Sequence, residues 1–204
     1  MTLDAIDSGF YFANGRHSPS NENYLTGLFT MEHRSFFVFD RSSVTDTITS
    51  ATLRLFNPKV TQFLNGYVSP DATEILNFYD VTTSAADITG NSAGLAGFAD
   101  LGSGILYGAR TVSASDNGTI VEIALNNSAV AALNAGTGLF ITGGALGSIG
   151  GPSDQYVFGF SMASFVADHT RQLILIVPET STAAFFAIGT LLLVCGFRKF
   201  RSNW

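Results

Sequence analysis

The residues predict an all-β body, a β-sandwich or jelly roll of about seven to nine strands with one or two short helices, followed by one C-terminal transmembrane helix. Three observations carry this. Short runs rich in Phe, Val, Ile and Thr recur, several of them alternating apolar and polar residues. Gly and Asn/Asp turns separate the runs throughout. Near the end, Ala183 to Phe197 is apolar or small except for Thr190. Residues 1–176 are the predicted β domain and residues 177–204 a separate tail.

In chain order, Ser35 to Asp40 (SFFVFD) is an aromatic and β-branched strand. Ile48 to Phe56 alternates, with Ala51, Leu53 and Leu55 on one face and Thr52 and Arg54 on the other; Asn57-Pro58 ends it. Glu74 to Val81 is a further strand. Thr119 to Leu125 (TIVEIAL) alternates again after the turn Asp116-Asn117-Gly118. Leu139 to Thr142, Tyr156 to Phe160 and Gln172 to Val177 complete the set. Asn127 to Asn134 is a short Asn-capped helix, and Val81 to Ile88 is a second, weaker helical pattern. Gly143 to Gly151 holds five glycines and predicts a mobile loop.

The tail has three parts. Val177-Pro178-Glu179-Thr180-Ser181 is a short polar motif in which proline keeps Val177 extended. The apolar run follows; about fifteen to seventeen helical residues span about 25 Å, slightly less than the roughly 30 Å of a bilayer's hydrocarbon core. Arg198, Lys199 and Arg201 then form a basic end, with Phe200 and Trp204 beside them. A buried core helix is the competing reading for a run of this length. The consecutive Leu191 to Val194 leave no polar stripe for water, and the basic flank lies on one side only, so a membrane segment is expected. The basic end belongs on the cytoplasmic side, which places the body outside the cytoplasm.

On these residues the tail resembles a PEP-CTERM sorting signal, the tripartite C-terminal signal that exosortases read in Gram-negative bacteria making extracellular polysaccharide. Val177, Pro178, Glu179 and Ser181 match its motif; Thr180 stands where most members have a second proline. The resemblance implies a transient inner-membrane anchor, an exosortase-type membrane protease as partner, cleavage near Pro178-Glu179, and release or attachment of the body at the cell surface. Within the body, Phe36 to Pro58 is similar to exported β-sandwich domains grouped with carbohydrate-binding-like jelly rolls. Arg34, Phe37, Phe39, Asp40, Ile48, Ser50, Ala51, Leu53, Arg54 and Leu55 fit their pattern, and Arg41 stands where leucine is usual. That likeness implies a sandwich and, secondarily, exopolysaccharide binding.

Export needs an N-terminal signal. Met1 to Asp7 has neither a basic region nor an apolar one, so the expectation is a signal encoded upstream, with Met1 near the start of the mature domain.

Charge and composition narrow the chemistry. The chain carries −6; Arg198, Lys199 and Arg201 against Glu179 give the tail +2, so the body carries −8. An acidic body argues against nucleic acid as a partner. The only cysteine, Cys195, lies in the tail, so the body has no disulfide, thiolate metal site or cysteine nucleophile. His17, His33 and His169 occupy three separate loop-like contexts and read as surface histidines. Gly102-Ser103-Gly104 lacks the spacing of a nucleophile elbow, and the glycine runs lack a phosphate-loop lysine. Acidic residues such as Asp40, Glu74 and Glu122 cannot be paired by sequence, and no enzymatic activity is expected. Asp7, Asn14, Asn21, Glu22 and Asn23 offer oxygens for a weakly bound calcium; no other cofactor is expected. For sugar stacking the chain offers Phe10, Tyr11, Phe12, Tyr24, Tyr67, Phe78, Tyr79, Tyr107 and Tyr156. Tyr67, beside Gly66 and Ser69-Pro70, is the best candidate for an exposed ring.

Overall fold

One strand buried on both faces organises the molecule. The computed structural model describes residues 1–59, 66–151 and 153–178. Its strands are β1 (Thr2–Phe12), β2 (Thr26–Phe29), β3 (Met31–Asp40), β4 (Ser50–Asn57), β5 (Tyr67–Val68), β6 (Thr73–Asp80), β7 (Leu106–Ser113), β8 (Thr119–Leu125), β9 (Leu139–Leu146), β10 (Gln155–Val157) and β11 (Arg171–Ile176). Its helices are α1 (Ala85–Thr89), α2 (Gly94–Asp100) and α3 (Asn127–Ala135). In β3 the run Phe36-Phe37-Val38-Phe39 is at most 1% exposed. Phe37 and Phe39 point into the main core, while Phe36 and Val38 join a second cluster with Tyr11, Ile88 and Leu101 under α1 and α2. A strand covered on both sides reads as a continuous apolar run, which this one does.

The pairing is antiparallel throughout and gives a curled sheet. β3 pairs with β1 on one side and with β9 on the other, and β9 continues to β6 and β7. β1 also pairs through Thr2–Asp4 with β11, which leads to β4 and β8. β1 can serve two neighbours because its register shifts between Ala5 and Asp7, a bulge that bends the strand and leaves Ile6 exposed. The outermost strands β7 and β8 come together: Asn126 N donates to Tyr107 O at 2.7 Å and Arg110 Nη1 donates to Glu122 O at 2.9 Å. β2, β10 and β5 add a short flap beside the start of β3.

The alternation in the sequence matches the burial. Ala51, Leu53, Leu55, Val121, Ile123, Leu125, Leu173 and Leu175 all face the main core, opposite Phe37, Leu76 and Phe78. α3 is capped by Asn126, whose Oδ1 accepts from Ser128 N and Ala129 N. The second helical pattern begins later than expected, at Ala85, with Ser84 as its cap.

Two expectations are corrected. β1, β2, β5 and β7 raise the strand number above seven to nine. The bulge breaks β1's alternation, β2 and β5 are too short to show a period, and β7 carries Gly108 among its residues. The glycine run is not a loop at its start: Gly143 and Gly144 lie buried in β9. They are there for close approach. A Cβ on Gly143 would sit 2.5 Å from the Leu101 carbonyl oxygen, and one on Gly144 would sit 2.5 Å from Ser35 Oγ. Arg34 seats α2 on the sheet from the other side, with its guanidinium 4.3 Å from the Phe98 ring centroid and Nη1 donating to the Phe98 and Ala99 carbonyls.

The two faces of β4 give a direct check. Leu53→Ala is expected to lose about 2–5 kcal/mol of stability in urea unfolding. Arg54→Ala, which removes a half-exposed 3.0 Å pair with Glu122, should lose less than about 1 kcal/mol. Equal losses would mean that the two faces are assigned wrongly.

Candidate functional site: an aromatic cleft at one end of the sheet

Val177 and Pro178, the first residues of the expected sorting motif, come where the sheet ends. β11 lies between β1 and β4, and its last residue, Ile176, is still bonded: its carbonyl accepts from Thr49 N at 2.8 Å and Thr49 Oγ1 at 3.0 Å. Val177 packs half-buried against the main core, and Pro178 is exposed. Glu179, Ser181, Arg198, Lys199, Arg201 and the apolar run Ala183 to Phe197 lie outside the described residues. Among the described residues no helix is long and apolar enough to cross a membrane.

Tyr67 does not supply an exposed ring. It is 5% exposed, belongs to the main core, and donates its phenol to Asp71 O at 2.9 Å. Its stretch looked loop-like because β5 has only two residues, yet pairing with β10 turns the ring inward. Tyr11, Tyr24, Phe78, Tyr107 and Tyr156 are buried as well.

Aromatic surface gathers instead at the far end of β1. Phe10, Phe12, Leu25, Phe29, His33 and Phe160 line an open cleft of about 170 Å³, with Asn21, Asn23 and Thr30 among its polar residues. Phe10 and Phe12 meet edge to face at 5.1 Å, and both rings contact His33, at 4.9 and 4.8 Å. Phe160 is 37% exposed. A second opening of about 250 Å³ lies on the other side of Phe12, lined by Asn14, Arg16, His17, Ser18 and Met31.

Three ties hold the loops around the cleft. Asn23 Oδ1 accepts from Met162 N at 2.7 Å, Ser161 Oγ accepts from Tyr24 N at 2.9 Å, and Asn23 Nδ2 donates to Asn21 Oδ1 at 2.7 Å. From below, Arg171 Nη1 donates to Ser8 Oγ at 2.6 Å and Glu22 Oε2 at 3.0 Å. Backbone strain collects at the rim. Thr30 has φ 59° where β2 reverses into β3, and Phe158 has φ 74° beside Gly159 at 45°. Such a conformation costs a β-branched or aromatic residue about 1–2 kcal/mol. Phe158 is held in it by its fully buried ring, 5.0 Å from Tyr24, and by its N–H, which donates to Asn57 Oδ1 at 3.1 Å. The consequence is that Phe160 emerges at the rim. Strain of this kind concentrates at binding and catalytic sites.

The histidines are not all on the surface. His17 is 7% exposed and His33 3%. His17 sits in a bridge to β1 with Nδ1 donating to Phe10 O at 2.9 Å, and His33 is inside β3; neither context is legible as a strand from its neighbours. His33 Nδ1 has no hydrogen-bond partner. Burial lowers the pKa of both rings, although backbone carbonyls work against it. Burial raises the Asp7 carboxyl at the bulge, with the Glu22 carboxylate adding to the shift.

Four of the five residues considered for calcium, all but Asp7, have a side-chain oxygen engaged within the protein. Asn14 Oδ1 accepts from Arg16 N, Asn21 Oδ1 from Asn23, Asn23 Oδ1 from Met162 N, and Glu22 pairs with Arg171. Among the described residues no three His, Cys, Asp or Glu side chains converge. The buried Glu74 accepts from Ser69 Oγ and Gln155 Nε2, both at 2.5 Å, which ties β6 to β10. The Ser103 hydroxyl donates to Ala99 O and closes a turn after α2. What the cleft offers chemically is apolar faces with amides at the rim.

Two measurements follow from this geometry. The unfolded chain protonates His17 and His33 near 6.5, above their lowered folded values. Stability from these rings is therefore full well above 6.5 and falls as pH drops through 6.5 toward the lowered folded values. His33→Phe is expected to flatten that slope in urea unfolding at several pH values; an unchanged slope would remove His33 as a source. Thr30→Gly, which relieves the left-handed strain, should raise stability by about 1 kcal/mol, measured the same way.

No family model matches the chain, and no curated protein is significantly similar to it, so the functional reading rests on the chain's own residues.

Proposed function

We propose that this is an exported cell-surface or extracellular-matrix protein with a structural or adhesive, non-enzymatic role, delivered by an exosortase-type sorting system. The order of motif, apolar run and basic end carries this reading. Ala183 to Phe197 holds the precursor in the inner membrane, Arg198, Lys199 and Arg201 fix its topology, and Val177-Pro178-Glu179 with Ser181 presents the cleavage strip. The fold is consistent with such processing. Among the described residues every strand lies before Val177, and Pro178 is exposed two residues after the last one, so cutting there removes none of the described pairings. The finer reading of the curled sheet is a sandwich of jelly-roll type, with β4, β8 and β11 facing β3, β6 and β9 across the main core.

A second reading, a carbohydrate-binding module for exopolysaccharide, is favoured by one observation. The half-exposed Phe rings and the Asn amides share one cleft, the combination a sugar's apolar face and hydroxyl edge require.

Mass spectrometry of the mature C-terminus, in a host that carries an exosortase, tests the first reading. The expected product ends near Pro178-Glu179, and Glu179→Ala should leave the precursor in the membrane fraction. Surface protein still ending at Trp204 would contradict it.

A further inference from the structure

The cleft and the point where the described chain leaves the sheet lie at opposite ends of β1. Thr2 pairs with Ile174, close to where the chain leaves the sheet at Val177. β1 runs antiparallel to β11, and ten residues later Phe12 lies at the cleft. At about 3.3 Å per residue the separation along the strand is about 30 Å. A body anchored through its tail therefore turns the cleft away from the membrane.

The lining has a definite chemical character. Among the described residues it includes no Asp, Glu, Lys or Arg. Arg16 belongs to the neighbouring opening, beyond Phe12. At about 170 Å³ the cleft is smaller than the roughly 300 Å³ at which pockets for drug-sized ligands begin, so it suits one small ring. Two amides have N–H groups to spare: Asn21 Oδ1 accepts from Asn23 while its own amide nitrogen has no partner among the described residues, and Asn23 Nδ2 donates only one of its two protons there. His33, nine-tenths buried in the lining, keeps an unpartnered Nδ1. The strained Thr30 and the Phe158-Gly159 turn lie at the rim.

We propose that this outward-facing cleft seats a single neutral pyranose unit of a surface or matrix glycan, its C–H face against Phe12 and Phe160 and its hydroxyls at Asn21 and Asn23. The proposal rests on the carbohydrate-binding reading and adds to it a place, a ring count and a charge. A saturated ring with an apolar face and a hydroxyl edge uses both kinds of lining group. A uronate ring would bring its carboxylate to a surface with no cation to meet it, on a body of charge −8 by the count above. Phe160 is the group to alter, because its exposure separates binding from folding.

The test is calorimetric titration of the full-length chain in detergent micelles with neutral gluco-, galacto- and manno-oligosaccharides, and with alginate and hyaluronate fragments. At least one neutral series is expected to bind. Phe160→Ala should weaken that binding about tenfold, Phe160→Trp should keep or strengthen it, and the urea midpoint of both variants should stay unchanged. Binding that ignores Phe160, or binding of the acidic fragments that falls with Arg16→Ala, would overturn the proposal and leave the carbohydrate-binding reading standing at another place. No binding by any glycan, with an apolar dye still entering the cleft, would overturn both.

Discussion

The hydrogen-bonded insertion of β11 between β1 and β4 is the contact on which the rest of this structure depends. The last described strand is not an edge that could be peeled away. Leu173 and Leu175 enter the main core from its middle, and Gln172 to Ile176 pair residue by residue with Ser50 to Arg54. Without β11, β4 and β8 lose their link to β1, and the curl opens. The main core therefore needs the chain as far as Ile176, and the half-buried Val177 is the last of the described residues that packs against it.

That geometry bears on the proposed division of labour between body and tail. Under that proposal the signal must be reachable by a membrane protease while the domain stays folded. An exposed proline two residues after a central strand meets both conditions, because proline keeps the preceding Val177 extended and no described ladder bond crosses the position. The bulge in β1 has a complementary effect. By letting one strand serve both halves of the sheet, it carries the chain from the tail end to the aromatic end without a break.

Where one face of a strand was buried and the other wet, the sequence was easy to read. β4 and β8 declared their faces through period-two alternation, and β3 through four consecutive apolar residues. The misreadings share a cause: tertiary contact decided what local chemistry left open. Gly143 and Gly144 looked flexible but are small so that Leu101 and Ser35 can approach. Tyr67 looked exposed because its strand is two residues long. The bulge between Ala5 and Asp7 breaks the alternation of the first residues and hides the strand that they form. The cleft was half legible. Phe10 and Phe12 stood among the candidate rings, but Phe29 and Phe160 join them only through a hairpin reversed at Thr30 and a turn forced at Phe158, neither marked by a glycine at the strained residue itself.

The claim underneath is that the β body is complete at the point where the tail begins. It is tested most directly by comparing urea unfolding of the full-length chain in micelles with that of a chain ending at Pro178, with a chain ending at Thr170 as the control. The account predicts equal midpoints for the first two and no cooperative transition for the third, which lacks β11. A chain ending at Pro178 that is unfolded, or less stable by more than about 1 kcal/mol, would show that the tail is part of the folded body and would contradict the account.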